Sequence, residues 1–182
     1  MPGRDYSQMA QQAAVLSGYS AAQQKLIAAI GKDFLVKLAE VERNYYAGLL
    51  TLERMRQIPE RELEVLKTAK SDWLNTMFSG QVSATMVKNT YSVGEIYLKL
   101  DLPVEMMIGG TALLGQELMR KTFMLYTNDE KKCAQAVIAV NAMVAFSQII
   151  MQAAYTASEA QALEKFLAVT GMSRALYDKL AQ

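Results

Sequence analysis

The side chains that usually perform acid–base, nucleophilic or metal chemistry are scarce in this sequence. It contains no histidine and a single cysteine, Cys133. A hydrolytic triad would need another base, no serine lies beside a recognisable one, and a zinc site would have one thiolate and no imidazole. A di-iron helical bundle would lack its Glu-x-x-His pairs. The sequence therefore predicts neither an enzyme nor a metal site.

Cys133 and the 12 methionines remain as candidates for ligand or redox chemistry. Cys133 follows Lys131 and Lys132 at the predicted start of an apolar helix, where the helix dipole lowers a thiol pKa. Nothing else in the sequence supports a reactive thiol. Methionine at helical spacing is adaptable core filler far more often than a metal ligand, and we interpret these residues as structural.

Composition excludes further classes of function. Hydrophobic residues make up 52% of the chain and charged residues 20%, which is typical of a folded protein. The net charge is +1 and no basic stripe alternates with aromatic residues, so nucleic acid is not a predicted partner. One cysteine cannot form an internal disulfide, and the first residues lack the apolar core of a signal peptide. These observations predict a cytoplasmic protein.

The elements that must position any site are all predicted to be helical. Ser20 and Gln23 form a capping-box pattern that opens a long helix over about 20–54, with a possible bend near Gly31. Residues that end one helix or begin the next follow at Pro59, Gly80, Pro103, Asn128 and Gly171. The predicted helices after the first cover about 59–80, 83–100, 103–126 and 129–168, before a short amphipathic tail. We expect an N-terminal segment (1–19), one helical domain (20–168) and a C-terminal short helix or linker start (169–182).

Residues 133–155 carry no charge and are numerous enough to cross a bilayer as a helix. On a helical wheel, however, a narrow polar stripe runs along this segment. The stripe predicts a core helix, or one side of a subunit interface, rather than a membrane span. Its residues, which we name the polar stripe, are Asn141, Gln148, Gln152, Tyr155 and, just past this segment, Glu159.

Three short motifs resemble the globin domain of bacterial globin-coupled sensors. They are Phe78-Ser79-Gly80, the run Val93-Gly94-Glu95-Ile96-Tyr97, and Leu102-Pro103, in that order. In that family a helix carrying the haem-ligating histidine ends in a Phe-x-Gly-like turn, an Ile-Gly-x-x-His helix follows, and a Leu-Pro-like stop precedes the last two long helices. The resemblance covers about 19–156 and implies a globin-like domain that dimerises through those last two helices.

The departures from this pattern concern the haem. Counted without a gap, the position of the ligating histidine falls on Trp73, or on Asp72 with one extra residue. An indole nitrogen is a donor only, and aspartate is an unusual ligand for haem iron. The second histidine is replaced by Tyr97, and the chain between Tyr46 and Trp73 is about half the length that the resemblance implies. It therefore implies a haem-free relative, of the kind found at the input end of stressosome-type signalling proteins.

These observations define the expected sites. Tyr46, Trp73, Met77 and Tyr97 are candidates for lining a residual pocket, although a buried Trp or Tyr is usually a plain core residue. The polar stripe is the candidate dimer interface.

The predicted function is a non-enzymatic signal-input domain, without cofactor, that relays a change in dimer packing or the binding of a small apolar ligand to an output domain or signalling protein. A structural adaptor for protein partners, and a haem or oxygen sensor with a non-histidine ligand, remain alternatives. The chain is either a standalone member or a piece of something longer.

Overall fold

A computed structural model describes residues 5–181, and every regular element in that range is helical, as the sequence predicts. The helices follow one another with short connections. In chain order they are α1 (Tyr6–Ser17), α2 (Ala21–Leu35), α3 (Leu38–Leu49), α4 (Glu53–Arg56), α5 (Glu60–Met77), α6 (Ala84–Lys99), α7 (Val104–Tyr126), α8 (Glu130–Thr170) and α9 (Arg174–Leu180).

Local side chains explain where several helices begin and end. Asp5 accepts hydrogen bonds from the backbone nitrogens of Ser7 and Gln8, and Ser83 accepts one from Met86. Ser20 and Gln23 form the predicted capping box. Gly80 ends the turn after α5 with φ of +72°, a conformation that favours glycine.

The single helix expected over 20–54 is wrong, because the chain turns twice within it. The breaks lie at Val36–Lys37 and between Leu49 and Glu53, and they separate α2, α3 and α4. Gly31 lies inside α2 without a break, and a Cβ atom built on it would lie 2.3 Å from the Phe78 carbonyl oxygen. The turn at Val36 lets α2 pack on α8 while α3 packs on α7. Tertiary packing therefore overrides the continuous helical periodicity.

The core surrounds α8, which packs against α1, α2, α6 and α7. Within the described residues, α8 is the one helix long and apolar enough to cross a membrane, but 56% of its most apolar stretch is buried inside the protein. A core helix has the same length and composition, so this is weak evidence for a membrane span. α1 adds the fully buried Ala13 to the same core, although it lies in the segment that we expected to precede the domain.

Candidate functional site

The four predicted pocket residues lie on three helices and divide into two groups. Tyr46 is on α3, Trp73 and Met77 are on α5, and Tyr97 is on α6. Trp73, Met77 and Tyr97 are buried, and Tyr46 is half-buried. Trp73 bonds to α8, whereas Tyr46 and Tyr97 join a second group of polar side chains. Met77 lies in the apolar core one turn after Trp73.

Trp73 is fixed by a hydrogen bond to the central helix. Its Nε1–H donates to the hydroxyl of Ser147 at 3.2 Å, and Ser147 in turn donates to the Met143 carbonyl at 2.9 Å. Trp73 is 1% exposed and Ser147 is fully buried. The position at which the resemblance implies an iron ligand therefore carries a donor that is already paired within the protein.

A buried lysine, which the sequence analysis did not select, lies one turn before Trp73. Lys70 is only 2% exposed. Its Nζ donates a hydrogen bond to the Tyr45 hydroxyl and lies 4.4 Å from the Tyr45 ring centroid and 5.1 Å from that of Tyr97. The Tyr45 and Tyr97 hydroxyls are 3.4 Å apart. Cation–π contacts of this kind favour a charged amine in an otherwise apolar setting.

Tyr46 covers this group on the side of α3. Its ring meets the Tyr45 ring edge-on, with centroids 4.7 Å apart, and Lys67 lies 5.7 Å from the Tyr46 ring centroid. The Tyr46 hydroxyl is buried and has no hydrogen-bond partner. We call Tyr45, Tyr46, Lys70 and Tyr97 the tyrosine–lysine cluster. Gly110 of α7 closes it, because a Cβ atom there would lie 3.2 Å from both the Tyr45 and Tyr97 hydroxyls.

Burial controls the ionisation of the tyrosines in this cluster. It raises the pKa of Tyr45 to about 12, and the bond to Tyr97 offsets part of that rise. Burial also raises the pKa of Tyr46 and of Tyr97 well above the ordinary value. All three phenols are therefore protonated at neutral pH and present O–H donors rather than phenolate ligands.

Other candidate ligands do not come together. Among residues 5–181 no group of three or more histidine, cysteine, aspartate or glutamate side chains is placed to hold a metal ion. Cys133 is buried and unpaired at the start of α8. The sulfurs of Met107 and Met151 accept weak hydrogen bonds from Thr111, at 3.9 and 3.8 Å, within the core.

The polar stripe is only partly a surface feature. Asn141 and Gln152 are exposed and Gln148 is half-buried. Tyr155 differs, because it is 7% exposed and its hydroxyl donates to the Leu102 carbonyl at 2.9 Å. Tyr155 therefore serves to hold the α6–α7 connection of its own chain and does not belong to the exposed stripe.

Comparison with protein families shows which family the chain belongs to. The family model described as Protoglobin matches residues 9–161, which is most of the chain. The chain belongs to the Protoglobin family. Its fold is similar to that of the globin domain of the Geobacter sulfurreducens globin-coupled sensor, with a TM-score of 0.71 and 16% sequence identity over 80% of this chain and 96% of that one. Comparison with curated protein sequences gives no match.

Sequence reasoning missed Lys70 in this protoglobin-family chain, although a signal was present. The buried residues of α5 are Leu66, Lys70, Trp73, Leu74 and Met77. Their spacing places Lys70 in the middle of the apolar face of a helix, where a lysine is rarely fully buried. That position, rather than any motif, marks the site.

Proposed function

We propose that this chain is a haem-free, non-enzymatic signal-input domain of the globin-coupled sensor type. It acts in the cytoplasm as a homodimer through α7 and α8, and it passes a change in packing to an output domain or signalling protein. The observation that carries the proposal is the hydrogen bond from Trp73 to Ser147, because it occupies the position at which the family resemblance implies an iron ligand.

The residues around this position do not fit a haem group. The Trp73 nitrogen offers no lone pair to a metal, and its hydrogen is already shared with α8. Lys70 and the phenols of Tyr45 and Tyr97 bond to one another in the adjacent interior. Burial holds those phenols protonated, which disfavours a tyrosinate ligand. The proposed function therefore does not involve haem.

The surface of α8 supports the choice of a second copy of this chain as the partner. Between Lys132 and Glu159 the helix carries no charged residue. Its outward positions recur at alternating spacings of four and three, which is the repeat of a helix that packs along another helix. These exposed or half-buried positions are Ala134, Ile138, Asn141, Ala145, Gln148 and Gln152. On α7 the exposed Ala112, Gln116 and Phe123 extend the same type of surface.

The haem-free part is tested by adding hemin to the purified protein and recording the visible spectrum. We expect no stoichiometric sharp Soret band, and native mass spectrometry of the untreated sample should show the mass of the polypeptide alone or with a small ligand. A stoichiometric band that disappears in Tyr97→Phe, but survives in the exposed-site variant Thr68→Glu, would overturn the haem-free proposal in favour of a haem sensor.

The dimer is tested separately by light scattering at micromolar concentration. Wild type and Thr68→Glu should have the mass of a dimer, whereas Asn141→Glu should shift toward the monomer because it introduces like charges along the proposed interface. Thr68 is exposed on α5, so it controls for added charge alone. A wild-type monomer at these concentrations would remove the dimer from the proposal.

A further inference from the structure

We propose that the tyrosine–lysine cluster is a binding site for a small monovalent anion, such as chloride or the carboxylate of a very small acid. The inference rests on the haem-free function proposed above, because a haem would require the same interior. It adds a ligand of defined charge to a domain for which the sequence suggested only a small apolar one.

Lys70 carries a charge that no neighbouring carboxylate balances among the described residues. Within residues 5–181 no aspartate or glutamate forms an ion pair with its Nζ. The other deeply buried lysine, Lys121, contrasts with it, because its Nζ lies 2.6 Å from the Glu40 carboxylate. Buried charges in proteins are normally paired, since the cost of removing them from water is large. Lys70 has phenol partners and a cation–π setting, but it lacks a counter-charge.

Hydrogen-bond donors outnumber acceptors within the tyrosine–lysine cluster. Lys70 brings three N–H donors, and Tyr45, Tyr46 and Tyr97 each bring one O–H donor. Tyr45 and Tyr97 share one hydrogen bond between their hydroxyls, Tyr45 accepts one from Lys70, and Lys70 also bonds to the Tyr97 hydroxyl. The Tyr46 hydroxyl is buried without a partner. The three N–H and three O–H donors of the cluster thus face only three hydroxyl oxygens as acceptors, and an anion would supply both a further acceptor and the missing negative charge.

Neighbouring carboxylates do not already fill this role. Glu42 and Glu64 act electrostatically on Tyr46. Glu64 is paired with Lys67 at 2.5 Å. One oxygen of Glu42, four residues before Tyr46 on α3, is itself buried without a donor. Since neither carboxylate bonds to Lys70, the cation at the centre of the cluster is left for an external anion.

The residues around the cluster limit both the size of an ion that could bind there and the side from which it could enter. Gly110 closes one side so tightly that a Cβ atom there would lie 3.2 Å from two of the hydroxyls. On the other side Tyr46 is half-buried and Lys67, whose side chain is 34% exposed, lies over its ring. A movement of Tyr46 would open the cluster toward a second cation. This geometry selects an ion of a few atoms and excludes a bulky acid.

The test is thermal unfolding at constant ionic strength, with sodium gluconate replaced stepwise by sodium chloride. Gluconate is too large for the cluster, so binding of chloride should raise Tm by roughly 3–5 °C for each tenfold excess over its dissociation constant. Acetate in place of chloride distinguishes a small carboxylate from a halide. A wild-type Tm that does not change with chloride or with acetate would overturn the proposal.

Two matched variants locate the effect. Lys70→Met should lose the anion dependence, and in gluconate it should be at least as stable as wild type because the uncompensated charge is gone. Lys88→Met removes an exposed lysine of α6 that is not part of the cluster, and it should keep the dependence. An equal chloride response in wild type and Lys70→Met would show general surface binding and would contradict the proposed site. If Lys70→Met does not fold, Tyr46→Phe provides the same comparison.

Crystals soaked in bromide test anion binding in the cluster without relying on a change in stability. Anomalous scattering should place bromide in contact with Lys70 Nζ and a tyrosine hydroxyl, and an empty cluster in bromide-soaked crystals would contradict the proposal. Failure of this inference is distinguishable from failure of the haem-free function. Hemin uptake without an anion response would overturn both, whereas a missing anion response with no hemin uptake removes the anion site alone.

Discussion

Two consecutive turns of α6 face entirely different surroundings. Gly94 lies against the backbone of α8, and a Cβ atom there would lie 2.3 Å from the Met151 carbonyl oxygen. Three residues later, Tyr97 directs its hydroxyl into the tyrosine–lysine cluster between α3, α5 and α7. The first contact has backbone against backbone with no room for a methyl group. The second is built from long polar side chains whose positions depend on one another.

This difference separates a contact that depends on backbone geometry from one that depends on residue type. The α6–α8 crossing fixes the distance between two helices, so its geometry is set by a single glycine. The region that faces α3 and α5 is filled by side chains of Lys70, Tyr45 and Trp73, so its chemistry is set by residue type. Substitutions on the side of α6 that faces α3 and α5 should therefore disturb the fold less than an added side-chain atom at the α6–α8 crossing. The following predictions test that contrast in order of decreasing effect.

The largest effect is expected from Gly94→Ala. The added methyl group meets backbone atoms of Met151, which cannot rotate away, so α6 and α8 must separate and the free energy of unfolding should fall by about 3 kcal/mol. Urea denaturation followed by circular dichroism measures this. Gly109→Ala on α7 is the matched control, since nothing lies within 4 Å of its Cβ, and it should gain about 0.5–1 kcal/mol from helix propensity. Equal effects in the two variants would mean that the crossing is not close-packed.

A smaller effect is expected where Trp73 bonds to α8. Trp73→Phe removes volume and a donor, and Ser147→Ala leaves the indole N–H without its partner. Each should lower the free energy of unfolding by about 2 kcal/mol, and the double variant should cost about 1 kcal/mol less than the sum. A double-mutant cycle in urea measures the coupling. Strict additivity would show that the hydrogen bond contributes nothing to stability.

The cluster should also make stability sensitive to alkaline pH. The pKa of Tyr45 is raised by burial to about 12 from 10.0, so the folded state retains the phenol proton after the unfolded chain has lost it. Its contribution is complete below pH 10 and is lost as the pH rises toward 12, with a slope of about 1.4 kcal/mol per pH unit.

Urea unfolding of wild type and Tyr45→Phe at several pH values between 9 and 12 measures this contribution. At pH 11 the free energy of unfolding of the variant should have fallen by about 1 kcal/mol less than that of wild type. Other buried tyrosines add to the slope in both proteins, so only the difference between them tests Tyr45. Parallel curves for the two proteins would contradict the prediction.

The smallest effect is expected for a polar contact at the surface. Arg54 forms an ion pair with Asp101 at 2.9 Å, with side chains that are 51% and 98% exposed. Arg54→Ala should change the free energy of unfolding by less than about 0.5 kcal/mol, because water screens the pair. A loss as large as that of Trp73→Phe would show that the contrast between buried and exposed polar contacts does not hold in this protein.

The spacing of apolar residues was enough to predict the helical class. The residue types at Ser20 and Gly80 were enough to predict the capping box and the turn, because both depend on local chemistry. The motifs near Phe78 and Gly94 were enough to predict the globin fold, which the family match confirms. The breaks between α2, α3 and α4 were missed because they depend on which neighbours the helices meet. The inward hydrogen bond of Tyr155 was missed for the same reason, since Leu102 lies far from it in the chain. The burial of Lys70 could have been predicted from its place on the apolar face of α5, but its partner Tyr45 on α3 could not.

The length of α8 has a mechanical consequence. The helix has 41 residues, or roughly 60 Å at 1.5 Å per residue, yet beyond Tyr155 the described residues contribute only Leu167 to the buried set. Gly94 meets α8 at Met151, so roughly 28 Å of the helix, from Met151 to Thr170, extends past its crossing with α6. A tilt of about 10° at this crossing would displace the end of α8 by roughly 5 Å, a distance comparable with the rise of one helical turn. A small rearrangement inside the domain that tilted α8 at this crossing would therefore be magnified at Thr170.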